Sequence, residues 1–138
     1  MLKRILICCV AIALAACSHE PNVPDDTAGV IFLAQNIEST VVMDALFDGR
    51  IEPDAAGCLR LASDEPATVI WPKDFQVVAR SGVLAIVDDQ GSQVGFVGGP
   101  FRLGGGVIES LNNIALSAAD RQRAAQCPGK YWIVGDVP

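Results

Sequence analysis

Gln76-Val77-Val78-Ala79-Arg80-Ser81-Gly82-Val83-Leu84-Ala85-Ile86-Val87 reads as two β-strands joined by a tight turn, and it sets the expectation for the whole domain. β-Branched and aliphatic residues fill both arms. Between them Ser81-Gly82 has hairpin chemistry, because glycine accepts the positive φ that a two-residue loop demands. The same grammar repeats outward. Upstream, Thr68 to Trp71 is a β-branched and aromatic run stopped by Pro72, and Cys58-Leu59-Arg60-Leu61 alternates. Val41 to Leu46 is apolar apart from Asp44 and precedes an expected turn at Asp48-Gly49. Downstream, Asp88-Asp89-Gln90-Gly91 turns into Gln93 to Val97, followed by Gly98-Gly99-Pro100 and the short run Phe101 to Leu103. Val107 to Leu111 and Tyr131 to Val134 are the last strand candidates. A strand about every ten residues, with turn residues between, predicts a mainly β fold, a small antiparallel barrel or sandwich.

One short C-terminal helix is predicted beside the strands. Ser117 is placed to cap it, with Asp120 three residues on, and Arg121 to Gln126 continues with good helix formers until Pro128-Gly129 stops it. Arg121 and Arg123 read as a solvated face. In a barrel such a helix commonly covers an open end or an edge strand.

The first residues have a different character. Lys3 and Arg4 form a positive n-region, Ile5 to Ala13 an apolar h-region, and Leu14-Ala15-Ala16-Cys17 a small-residue cleavage site with a cysteine directly after the cut. An apolar run of about a dozen residues is too short to span a bilayer, which takes about 20. Leu14-Ala15-Ala16-Cys17 resembles the bacterial lipobox, whose cysteine is acylated after its thiol receives a diacylglyceryl group. That resemblance implies residues 1–16 as a lipoprotein signal peptide, Cys17 as the lipidation site and a membrane partner engaged through the N-terminal lipid. Two or more acyl chains give stable attachment. Ser18 follows the cysteine where an aspartate would be associated with inner-membrane retention. In a Gram-negative cell this implies an outer-membrane address facing the periplasm. Residues 17–29, with Pro21, Pro24, Asp25 and Asp26, read as a flexible tether, and residues 30–138 as one β-rich domain.

Removing the signal changes the chemistry that remains. The chain has 10 Lys+Arg and 16 Asp+Glu; Lys3 and Arg4 leave with the signal, so the mature part has 8 against 16 and a formal charge of −8. An acidic balance argues against a nucleic-acid partner, since affinity there comes largely from cations neutralising phosphates. Of five cysteines, Cys8 and Cys9 are lost and Cys17 is consumed by lipid. Cys58 and Cys127 are left as a pair in an oxidising compartment, and a disulfide between them is expected. By the chain-entropy argument such a bond contributes roughly 4 kcal/mol.

A second likeness covers about Val41 to Pro138. Gly57-Cys58-Leu59-Arg60-Leu61, Trp71-Pro72, Gly82, Gly95, Gly98, Gly104-Gly105-Gly106, Cys127-Pro128-Gly129 and Tyr131-Trp132-Ile133-Val134-Gly135 resemble a small β-rich domain of uncharacterised exported bacterial proteins. The resemblance implies the β fold, for which an OB-like barrel is one form, and the cysteine pair. It transfers no catalytic residue.

Candidate chemistry is sparse. His19, the only histidine, lies in the tether, which excludes hydrolase chemistry with a histidine base from the domain and removes histidine metal sites with it. Gly104-Gly105-Gly106 lacks the lysine and hydroxyl of a phosphate loop and reads as a bulge or bend. Asp64-Glu65 and Asp88-Asp89 are carboxylate pairs, but neighbours on a strand point to opposite faces. No catalytic residue, metal or cofactor is therefore assigned. Aromatic residues offer a binding face or fill the core. In Tyr131-Trp132-Ile133-Val134, alternation buries Tyr131 with Ile133 or Trp132 with Val134 and turns the other ring outward. Tyr131, Trp132 and Trp71 are the binding candidates. The resulting expectation is a lipid-anchored, non-enzymatic envelope module that binds an envelope protein or a peptidoglycan-associated partner; the alternative is a small barrel carrying an apolar or saccharide ligand.

Overall fold

A computed structural model describes residues 29–39 and 42–138. The residues read as a signal peptide, Cys17 and those read as a tether, as far as residue 28, lie outside the described residues. Strand outweighs helix, 47% against 6%, so the class is mainly β. The strands are β1 (Leu33–Ala34), β2 (Ala45–Pro53), β3 (Leu59–Leu61), β4 (Thr68–Trp71), β5 (Gln76–Arg80), β6 (Val83–Val87), β7 (Gln93–Phe96), β8 (Pro100–Ile108) and β9 (Tyr131–Asp136). The helix α1 spans Ala118–Ala124 between the last two.

Five strands close a barrel in the order β2-β3-β4-β9-β8 and back to β2. Within this circuit every pairing is antiparallel except the parallel contact of β4 with β9. Counted along the chain, the barrel strands run 1-2-3-5-4 around the wall, the Greek-key circuit of an OB-like barrel. The meander β5-β6-β7 is a separate three-stranded sheet inserted between β4 and β8. Closure matters because a closed wall has no edges to protect.

The wall is buried on both faces where β4 and β9 run side by side. Every residue of Thr68–Trp71 and each of Tyr131, Trp132, Ile133 and Val134 is buried. Val69, Trp71, Trp132 and Val134 point into the barrel with Ile51, Leu59, Leu103 and Phe101. Ile70, Tyr131 and Ile133 point the other way, into a second cluster with Leu33, Leu116 and Ala124 of α1. α1 therefore packs on the outer wall beside β1. Ser117 caps it as expected, its hydroxyl accepting from Asp120 N. Arg121 does more than face solvent: its guanidinium donates to the carbonyls of Leu111 and Ile114 and holds the preceding loop.

The meander seals onto the same interior. Ile86 joins the barrel cluster, and Val77, Phe75 and Val94 pack against it. Trp71 is the junction. Its ring stacks on Phe32 (5.8 Å) and Phe75 (6.1 Å) and meets Phe101 at a tilt (5.7 Å).

Two expectations are corrected and one strand is added. Asp48-Gly49 is not a turn but mid-strand in β2, opposite Arg102 and Phe101. Gly49 is there for room, since a Cβ would meet the Phe47 ring at 2.6 Å. The run Phe101 to Leu103 and the start of the run Val107 to Leu111 belong to one strand, β8, which passes through the three glycines with a register shift between Gly104 and Gly105 and ends at Ile108. Finally, Leu33–Ala34 forms a short strand that pattern reading misses; it runs parallel to β4 at Ile70 and Trp71, where β3 has already left that edge.

Cys58 and Cys127 are disulfide-bonded, as expected. The bond ties the start of β3 to the turn between α1 and β9. Asp54 and Arg60 reinforce the same seam. The Asp54 carboxylate accepts from the backbone N–H of Ala56 and Cys58 (2.9 Å each) and from Arg60 Nε (2.6 Å), while Arg60 Nη2 donates to the Pro128 carbonyl (3.1 Å).

Candidate functional site

The sequence-derived binding residues do not form a surface. Trp71 is fully buried, and Tyr131 and Trp132 are 9% and 6% exposed. The expectation that one ring of Tyr131-Trp132 faces outward is therefore corrected. Alternation holds along β9, but both of its faces are covered, one by the barrel interior and the other by α1 and β1. Strict alternation predicts an outward ring only when one side of a sheet meets water. The indole N–H groups of Trp71 and Trp132 are buried without a partner, so these rings are held by packing and not by hydrogen bonds.

The structure instead opens a groove at the β2–β8–β9 junction, with a volume of about 410 Å³. Met43, Ala45, Leu46, Gly104 and Pro138 line it, with the carboxylates of Asp44 and Asp136 and the guanidinium of Arg102. The glycine run creates this shape. A Cβ on Gly104 would land on the Asp136 carboxylate, one on Gly105 would land on the Ile133 carbonyl, and one on Gly106 would meet Met43 Sδ at 2.5 Å. Gly105 has φ 153°, a backbone state that disfavours any side chain. The resulting bulge bends β8, and bulges commonly re-aim side chains at sheet junctions. Leu46 is 55% exposed here, an apolar step between two acids.

Arg102 lies 3.8 Å from Asp48, so its charge is shared with a neighbour outside the groove. Asp44 and Asp136 have no cation partner among the described ion pairs. The groove thus presents net negative charge beside an apolar residue, which suits a ligand segment bearing an amine or guanidinium. No nucleophile with an adjacent base lines it. Sequence reasoning reached the bulge but missed Asp44, Leu46, Arg102 and Asp136. Their only signal was that a glycine-made bulge re-aims whatever is beside it.

A smaller concavity of about 50 Å³ lies between Gln35, Ile37, Glu38, Asn113 and Ile114. Gln35 is buried and its side-chain nitrogen is unpartnered. This space suits one or two waters, the usual remedy for a buried amide.

One carboxylate of each pair named from the sequence has a structural role. Asp88 Oδ1 accepts from the N–H of Gln90 and Ser92 and builds its turn. Glu65 pairs with Lys130 at 2.5 Å, which lowers the Glu65 pKa and raises that of Lys130. Among the described residues no cluster of His, Cys, Asp and Glu has the makings of a metal site. No helix among them is long and apolar enough to cross a membrane.

Comparison with protein-family models, with curated proteins and with solved structures found no match. The likenesses to a lipobox and to exported bacterial domains therefore rest on the quoted residues alone.

Proposed function

We propose that the chain is a lipid-anchored envelope lipoprotein whose barrel is a rigid binding or assembly module and not an enzyme. The observation that carries this reading is the solid interior. Trp71, Trp132, Phe101, Leu103 and Ile51 fill the space in which a carrier barrel would hold its ligand. The carrier alternative loses its motive with that space, and contact with a partner falls to the outer surface. The β2–β8–β9 groove is the best-shaped part of it, and its two carboxylates favour a basic segment of an envelope protein or an amino-bearing peptidoglycan-associated partner.

Barrels of this topology also bind oligonucleotides and oligosaccharides on one face. Fold alone does not carry such a function. Nucleic acid is disfavoured because the described cations are already engaged: Arg50 with Glu52, Arg60 with Asp54, Lys73 with Asp74, Arg102 with Asp48, Arg123 with Asp120 and Lys130 with Glu65. Arg80 and Arg121 donate to backbone carbonyls. Those two keep their charge, but two cations in an acidic domain are few to neutralise phosphates.

The anchor half rests on Leu14-Ala15-Ala16-Cys17. Cys17→Ser is expected to release the protein from the membrane fraction, and unchanged attachment would reject the anchor. For the binding half, crosslinked envelopes expressing the full chain should yield a partner whose recovery falls at least severalfold in an Asp44→Asn, Asp136→Asn double variant. Equal recovery with and without the carboxylates would remove the groove from the reading.

A further inference from the structure

Arg102 is the one cation lining the groove, and its donors are not engaged. Every other lysine and arginine among the described residues donates at least one hydrogen bond. Arg102 has only the Asp48 carboxylate, at 3.8 Å, which is beyond hydrogen-bond range. A guanidinium fork takes a carboxylate through two parallel N–H bonds, and that capacity stands open here. Register sets this donor beside the acceptors. Leu46, Gly104 and Asp136 are cross-strand partners on β2, β8 and β9 and form one row on the outer face of the wall. Arg102 stands two residues from Gly104 on the same face of β8, so its Cα is about 6.6 Å from that row. Gly104 keeps the row low. Because it has no Cβ, the Asp136 carboxylate leans over β8 to the place where one would be. A carboxylate and a guanidinium thus stand over neighbouring positions of one strand without pairing with each other. Leu46 is the apolar side of the row, and Asp44, just before β2, adds a second carboxylate on the side away from Arg102.

We propose that the groove binds the head group of an α-amino acid, an ammonium and a carboxylate on one carbon, with the ammonium at Asp136 and the carboxylate on Arg102. This rests on the reading of the groove as a site for an amino-bearing ligand, and adds the anion that must accompany the amine. A plain amine, such as a lysine side chain of a protein segment, leaves Arg102 unanswered. A plain carboxylate meets Asp44 and Asp136, and like charge disfavours it. A ligand with both charges satisfies both ends. Carried on one carbon, they are close enough to span neighbouring positions of β8 with a charge-assisted hydrogen bond at each end. Leu46 then covers an aliphatic chain on the same carbon, and about 410 Å³ leaves room for that chain. Such a head group occurs on a free amino acid and at the distal carbon of diaminopimelate within a peptide. The chemistry recognised is the same in both.

The test uses the full-length chain purified in mild detergent and follows its amide chemical shifts during titration with norleucine, pentylamine and hexanoate. The three share one alkyl chain and differ in the charges they carry. Norleucine should bind roughly tenfold tighter than either of the others, the gain of one added charged hydrogen bond, and should move the amides of Leu46, Gly105 and Asp136. Arg102→Gln should bring norleucine down to the affinity of pentylamine, and Asp136→Asn should weaken both. Both side chains are exposed, so the fold should survive either change. A tripeptide ending in diaminopimelate separates the sources: binding tighter than norleucine assigns the head group to a peptide, and weaker binding assigns it to a free amino acid. Pentylamine binding as tightly as norleucine, with both lost in Asp136→Asn, overturns the inference and leaves the amine reading in place. Norleucine binding that Arg102→Gln leaves unchanged overturns it as well. If none of the three moves those amides at millimolar concentration the inference falls, and partner recovery with the Asp44→Asn, Asp136→Asn variant decides the amine reading on its own.

Discussion

The barrel wall at β4 and β9 and the meander β5-β6-β7 use the same residue types to opposite ends. In the wall both faces are buried, a disulfide closes the seam, and each strand has neighbours on both sides. In the meander one face joins the core through Ile86 while the other keeps Val83 and Phe96 partly in water, and among the described residues its outer strands β5 and β7 each pair with β6 alone. The difference teaches where stability and where interaction capacity reside. The wall is buried along β4 and the first four residues of β9 and opens only at the groove where β9 meets β2 and β8, whereas the meander keeps one face partly in water.

Truncation of the aromatic junction should separate the two regions most sharply. Trp71→Ala is expected to cost about 4 kcal/mol, because it empties the space shared by Phe32, Phe75 and Phe101. Phe96→Ala in the meander should cost about 1 kcal/mol, since that ring is partly solvated. Urea unfolding of both variants gives the ratio, and equal losses would break the contrast. Trp71→Phe should cost much less than Trp71→Ala, for it also removes a buried N–H that has no partner.

Next in size is the seam. Replacing Cys58 and Cys127 with serine should cost about 3 kcal/mol, somewhat below the loop-entropy figure. The shortfall is expected because Asp54, Arg60 and the Pro128 carbonyl already hold the two chain segments together. A thermal melt with and without reductant checks it, and the meander, which lies inside the loop that the bond closes, should lose protection only with the whole domain.

Asp54→Ala should cost about 2 kcal/mol, the loss of a charged acceptor serving two backbone donors and Arg60. The hydrogen bond from Arg60 first, and the two backbone N–H groups with it, outweigh desolvation and hold the Asp54 pKa below its ordinary value. A carboxylate depressed in the folded state contributes stability above its unfolded pKa of about 3.9 and loses it as pH falls through the folded value. The acid limb of the stability profile should therefore flatten in Asp54→Asn. An unchanged limb would assign acid sensitivity elsewhere.

These contrasts also mark what the sequence made legible. The hairpin, β4, the Ser117 cap and the cysteine pair were readable because each depends on neighbours in the chain: a turn dipeptide, a β-branched run, a capping hydroxyl, a thiol count. Gly49 misled because a glycine next to an aspartate looks the same whether it turns the chain or makes room for a ring two residues away. Tyr131-Trp132 misled because burial of a second face depends on α1 and β1, which arrive from distant parts of the chain. The groove at Asp44 and Asp136 was unreadable for the same reason: β2 and β9 start and end there, and nothing local announces their meeting.

The smallest effect is expected at the meander's own turn. Gly82 has φ 78° with nothing within 4 Å of where a Cβ would stand, so Gly82→Ala pays only the backbone preference, about 1 kcal/mol. That strain is local. The β5–β6 hairpin should fray before the barrel does, so hydrogen exchange should speed up at Val78 and Ala85 while Val69 and Ile133 keep their protection. If the wall amides accelerate equally, the meander and the barrel unfold as one unit, and Ile86 couples them more tightly than its place in a half-exposed sheet implies.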